Sequence, residues 1–171
     1  MSASQPQPSP SPGDIYLDIE TDWSRRLTLI GLWSSARGFV QLVGSEITTE
    51  RLLSELPPPG EGRLYTFNGH CFDLPEIAKQ LGLRLRDRHD SRDLRFLCRK
   101  YQLTGGQKLI EETIGFSRIL HGYDGSDAVR LWMRHLRGDP DALPLLMHYN
   151  REDLVGMAAI RDHLQRLGEV C

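Results

Sequence analysis

The segment Ile15-Tyr16-Leu17-Asp18-Ile19-Glu20-Thr21 sets two carboxylates inside a run that otherwise reads as buried β-strand. Side chains two apart on a strand leave the same face, with backbones about 6.6 Å apart. Asp18 and Glu20 therefore point together, while Leu17 and Ile19 enter the opposite layer. Carboxylates in apolar surroundings are unfavourable unless a cation or hydrogen bonds compensate them. The same conflict recurs twice. Asp73 closes Phe67-Asn68-Gly69-His70-Cys71-Phe72-Asp73, and Asp153 closes Tyr149-Asn150-Arg151-Glu152-Asp153. One metal site shared by three segments resolves all of it, and oxygen-only donors suit Mg²⁺ or Mn²⁺.

Taken singly, each segment also has a plainer account. With 23 acidic residues in the chain, an Asp-x-Glu pair can arise at an exposed strand edge. Asp73, followed by Pro75, fits the N-cap of a helix. Tyr149 and Asp153 lie four apart and share a helical face, which a core tyrosine beside a solvated aspartate would also satisfy. Convergence would change the balance. Two carboxylates about 5 Å apart repel by about 3 kcal/mol at an effective dielectric of 20. Four together would rival the whole stability of a domain unless cations turned repulsion into ligation.

A length of 171 residues fits one domain, spanning residues 14–171, that buries about 70% of its unfolded surface. Residues 1–13, with prolines at 6, 8, 10 and 12, are expected to form a disordered Pro/Ser/Gln-rich tail outside the fold. The tail lacks the basic and apolar stretches of a secretory leader. The longest apolar run, Leu27–Trp33, falls far short of the about 20 residues a membrane span needs. Cys71, Cys98 and Cys171 show no paired spacing, which argues against a zinc module or disulfide framework and for a reducing, cytoplasmic setting. A net charge of −2 carries no global nucleic-acid signature, so any polyanion contact must be local.

Alternation predicts strands over 14–21, 27–33 and 37–43, spaced for antiparallel hairpins, and a fourth over 63–67. Helices are expected at about 49–56, 73–81, 91–101, 107–115, 126–137 and 140–167, the last with a break near Pro144. A short strand is expected at about 84–88. Three hairpin strands, a helix, a fourth strand and then helices make a layered α/β domain with a mixed sheet flanked by helices.

In order, Asp18-Ile19-Glu20-Thr21, Asn68 through Asp73 and Tyr149 through Asp153 resemble the three motifs of DEDD-type 3′–5′ exonucleases on a ribonuclease H-like fold. The YprB-type bacterial group is the nearest resemblance, and Leu131-Trp132 through Gly138-Asp139-Pro140 is similar to its segment before the last motif. The likeness runs over roughly residues 14–167. It implies a two-metal phosphodiesterase releasing nucleoside 5′-monophosphates from a single-stranded 3′ end of DNA or RNA. Asp18, Glu20 and Asp153 would hold one cation, and Asp18 with Asp73 a second. The family divides by whether the base is a Tyr four residues before the last Asp (the DEDDy type) or a His five before. This chain has both, as Tyr149 and His148. In a continuous helix Tyr149 lies near the Asp153 face and His148 about 140° from it, which favours Tyr149. A helix starting only at Asn150 would favour His148.

Candidate substrate contacts are Asn68, Phe72, Arg92, Arg95 and Arg99. Seven basic residues against three Asp lie between Arg84 and Lys100, with Arg92, Arg95 and Arg99 expected on one helical face. A solvated helix with internal ion pairs gives the same pattern. Phe72 and Trp132 could stack on a base or belong to the core. Two other functions fit the same fold: a catalytically silent binding module and an endonuclease with an open cleft.

Overall fold

The computed structural model describes residues 8–169. Strands β1 (Asp14–Thr21), β2 (Leu27–Ser34) and β3 (Gly38–Val43) form an antiparallel meander. Helix α1 (Thr49–Glu55) then leads to β4 (Arg63–Thr66), which lies parallel to β1, and β5 (Asp90–Asp93) extends the sheet parallel to β4. The strand order is β3-β2-β1-β4-β5. Helix α2 (Asp73–Leu81) precedes β5, and α3 (Leu94–Lys100), α4 (Gln107–Thr113), α5 (Gly125–Leu136) and α6 (Ala142–Arg166) follow it.

The pleat of β1 sorts its residues between two layers. Ile15, Leu17 and Ile19 join Leu52 of α1 and Leu74 and Ile77 of α2 in one core. Tyr16 faces the other way and meets Leu94 of α3, Ile110 of α4, and Leu154 and Met157 of α6. Asp18 and Glu20 share the Tyr16 face by the period of two. A third cluster, built from Leu29, Leu131 of α5 and Leu146 of α6, packs Tyr149 at its edge. Both sheet faces are thus covered, and the acidic pair sits where α6 crosses the sheet.

Three expectations need correction. The strand foreseen at 84–88 is a 3₁₀ turn at Leu85–Asp87, and the fifth strand runs over Asp90–Asp93 instead. The charge-rich sequence there offers no alternation, and only pairing with β4 makes it a strand. Pro144 does not interrupt α6, because it falls in the first turn, where a missing N–H removes no helical bond. Arg92, expected on a helical face with Arg95 and Arg99, belongs to β5 and bonds Asp90 at 2.8 Å.

Residues 1–7 of the expected tail lie outside the described residues. Ser9 and Ser11 contribute their backbone carbonyl and hydroxyl oxygens to the guanidinium of Arg161, at 3.0 and 2.7 Å. That arginine is almost fully buried, against Tyr16 Oη and Asp14.

Candidate metal centre and active cleft

One carboxylate oxygen each from Asp18, Glu20 and Asp153 lie within 4.8 Å of one another. The pleat of β1 presents the first two, and α6 delivers the third across 132 residues or more of sequence. They form the floor of a cleft of about 250 Å³ that Phe72, Tyr149 and Val129 help to wall.

Asp18 is fixed from α6. Asn150 Nδ2 donates to Asp18 Oδ2 at 2.8 Å, and Gln41 Nε2 donates to Asn150 Oδ1 at 2.9 Å and to the Met147 carbonyl at 2.7 Å. Gly31 pairs with Asp18 across the hairpin, and a Cβ there would run into the Asn150 amide. The glycine is what lets α6 lay a side chain against the sheet. Glu20 Oε1, by contrast, is buried with no hydrogen-bond partner among the described residues.

Asp73 is the first residue of α2 rather than its cap, a place taken by Phe72. Its Oδ1 accepts the Ile19 N–H at 3.2 Å, so the carboxylate turns toward β1 beside the three-carboxylate group without entering it. The turn before it is held by Asp93, whose carboxylate accepts the N–H groups of Asn68 and His70 at 2.8 and 3.0 Å.

Burial raises all four carboxyls. Asp18 and Glu20 are pushed well above the ordinary range by desolvation, then by the charges of Asp153 and Asp73, with Glu20 adding to and Asn150 opposing the rise at Asp18. Desolvation takes Asp73 to about 7, and Asp153 to about 6 against the pull of Arg118. Buried carboxylates that repel one another, with one oxygen orphaned, are the donor set a hard divalent cation satisfies. The residues fit such an ion.

Helix α6 is continuous through His148 and Tyr149. Tyr149 lines the acidic cleft. Lys108 Nζ donates to its hydroxyl at 3.1 Å and lies 4.5 Å from the ring centre. Burial, followed by the charges of Asp153, Glu20 and Asp18, raises the phenol's pKa. His148 lines a separate groove of about 640 Å³ with Trp33, Phe39 and Arg151, its Nε2 3.9 Å from Glu152.

Of the candidate substrate contacts, Phe72 reaches the cleft. Arg95 Nη1 donates to Asn68 Oδ1 at 2.8 Å, and Arg99 lies over the Phe96 ring, 5.5 Å from its centre; none of the three walls the cleft. Trp132 packs in the third core cluster and does not wall the cleft.

Sequence reasoning missed Asn150, Lys108, Glu111 and Arg118. Arg118 Nη2 stands 2.6 Å from Asp153 Oδ1 and 2.7 Å from Glu111 Oε1. Asn150 stands inside the Tyr149–Asp153 motif, and that position was its one local sign. For Glu111 and Arg118, which meet Asp153 only in the folded chain, no local pattern exists.

A model of the RNase_H_2 family, within the RNase_H superfamily, matches residues 15–165. The chain belongs to that family. Its five-stranded sheet between helices is the ribonuclease H-like fold. No curated protein matches the chain. Among solved structures it is similar to the family B DNA polymerase from the hyperthermophilic archaeon Pyrobaculum calidifontis, with a TM-score of 0.67 and 17% identity over 88% of this chain. The chain spans only 24% of that polymerase's length, and the likeness is one of fold. Family membership and the acidic cluster together support a nuclease, a hydrolase acting on nucleic acid. No helix among the described residues is long and apolar enough to cross a membrane.

Proposed function

We propose that residues 14–171 form one metal-dependent 3′–5′ exonuclease domain that releases nucleoside 5′-monophosphates from single-stranded ends of nucleic acid. The observation that carries this reading is the meeting of Asp18, Glu20 and Asp153 in one cleft with Tyr149 on its wall.

Asp18, Glu20 and Asp153 would hold one divalent cation, Mg²⁺ or Mn²⁺, and Asp73 beside Asp18 would support a second, directly or through water. When bound, the cations supply hydroxide-like reactivity near neutral pH and offset the charge that builds around phosphorus. Tyr149 orients the attacking water through its neutral phenol, because burial keeps the hydroxyl protonated. The water oxygen forms the new bond to phosphorus, the bond to the 3′ oxygen breaks, and the water's proton leaves to solvent as that oxygen regains one. Phe72, half-buried at the cleft wall, offers a face for the terminal base. The Asn68–Arg95 pair, on the segment that leads into Asp73, would suit a backbone phosphate.

The test is a 5′-labelled single strand, DNA and RNA in parallel, incubated with Mg²⁺ or Mn²⁺. A ladder shortening one nucleotide at a time from the 3′ end, with monophosphate products, is expected. Internal cuts would instead identify an endonuclease, and binding without cleavage a silent module. Asp18→Ala and Asp153→Ala are each expected to abolish metal-dependent turnover while the far-ultraviolet dichroism stays native. Retained activity in both would remove the mechanism.

A further inference from the structure

Arg118 lies in the segment between α4 and α5 and reaches the metal centre from outside the cleft, whose wall it does not form. Its Nη2 contacts Asp153 Oδ1 at 2.6 Å, and its Nε and Nη2 contact the two oxygens of Glu111 at 2.5 and 2.7 Å. The arginine side chain is 7% exposed and that of Glu111 1%. Both are built in rather than adventitious. Gln107 Nε2 donates to Glu111 Oε1 and to the Asp153 carbonyl, each at 2.8 Å. On α6, Gly156 leaves the space that Glu111 occupies, since a Cβ there would run into its carboxylate. The two residues after Arg118 are tied to the residue before Asp153: Ile119 N–H and Leu120 N–H donate to Glu152 at 2.5 and 3.0 Å.

A guanidinium stays charged at every working pH. Holding one oxygen of Asp153, it offsets part of the acidic charge at the cluster. Arg118 and a divalent ion are then like charges sharing one ligand. We propose that Arg118, anchored by Glu111, is a positioning residue that serves as the resident countercharge of the metal centre, supporting the ion-free fold and lowering the affinity for the first cation. This rests on the metal-dependent reading above, and it adds a residue pair that tunes ion binding.

The charges make two variants move in opposite directions. Arg118→Met removes a like charge beside the ion, so Mn²⁺ should bind more tightly, by on the order of tenfold. Its ion-free melting temperature in chelator should fall, because the carboxylates lose their partner. Glu111→Gln leaves Arg118 less neutralised, so Mn²⁺ should bind more weakly than to the unaltered protein. Isothermal titration with Mn²⁺ alone, in the absence of substrate, reads both. A merely structural role would weaken binding in both variants together. Unchanged or weaker binding in Arg118→Met, or a shift of the same sign in both, overturns the inference.

Should Arg118→Met fail to fold, Arg118→Lys and Glu111→Gln carry the test. The lysine variant, keeping the charge, is expected to bind Mn²⁺ close to the unaltered affinity, and equal or tighter binding in Glu111→Gln overturns the inference. Failure of the unaltered protein to bind Mn²⁺ would overturn the nuclease reading as well. Binding and cleavage by that protein, without the split between variants, sinks the countercharge alone.

Discussion

Tyr149 illustrates how much one residue's surroundings decide. Its ring is buried among the α5–α6 contacts, its hydroxyl accepts from Lys108, and three carboxylates stand close by. All but the nearby cations disfavour a phenolate, so the side chain works as a neutral hydrogen-bonding group. Tyr149→Phe should lower kcat by about 10–100-fold, the scale of a lost proton-positioning group, with little change in KM. Single-turnover cleavage measures this directly. His148→Ala should leave kcat near that of the unaltered protein, since His148 faces Glu152 and another groove. That one helix would run through both neighbours was legible in the sequence, since the helix expected at about 140–167 spans them. The Lys108 contact was not, since 41 residues separate it from Tyr149.

At the level of elements, the cleft depends on α6 lying directly on β2. Gly31 makes that approach possible, and Asn150 uses it to hold Asp18. Gly31→Ala should therefore destabilise the protein by about 1–3 kcal/mol, the range of overpacked interiors, seen as a lower denaturant midpoint. Cleavage should fall with it, as Asn150 is displaced from Asp18. The meander of β1, β2 and β3 was readable from alternation because each strand carries an apolar face. Strand β5 was not, since Asp90-Ser91-Arg92-Asp93 has no such face and is set by β4 alone. The same strand shows why the expected helical face did not form: Arg92 is extended and paired with Asp90, apart from Arg95 and Arg99 on α3. The cap that local rules also allow for Asp73 falls to Phe72, and the Ile19 amide on β1 takes the Asp73 side chain instead. Local rules find periodic elements; they do not find what one element does for another.

Across the whole molecule, the four raised carboxyls tie stability to pH. A carboxyl whose pKa rises on folding stabilises the native state below its unfolded value, 3.8 for aspartate, and that contribution is lost as pH climbs through the folded value. For Asp153 and Asp73 the loss runs from about pH 4 through about 6 and about 7, and Asp18 and Glu20, also raised, act in the same direction. Surface groups such as Asp22 and Glu169 shift the other way, but their exposure keeps their weight small. In chelator, the melting temperature should fall between about pH 4 and about pH 7, a window read from the shifts of Asp153 and Asp73. The gain on adding Mn²⁺ should widen over the same interval, because ligands bind the ion deprotonated. Scanning calorimetry at several pH values checks both, and a gain that shrinks with pH would contradict the assignment of the ligands.

The proline-flecked stretch ahead of β1 invites trimming, and a shortened chain opening at Gly13 would look harmless by composition. Arg161 makes it otherwise. Without Ser9 and Ser11, two oxygens that meet its guanidinium would vanish, leaving a nearly enclosed cation with fewer partners on the helix that also carries Asp153. Such a trimmed protein should melt at a lower temperature than the full chain, and replacing Arg161 with methionine in the trimmed form should recover part of the difference.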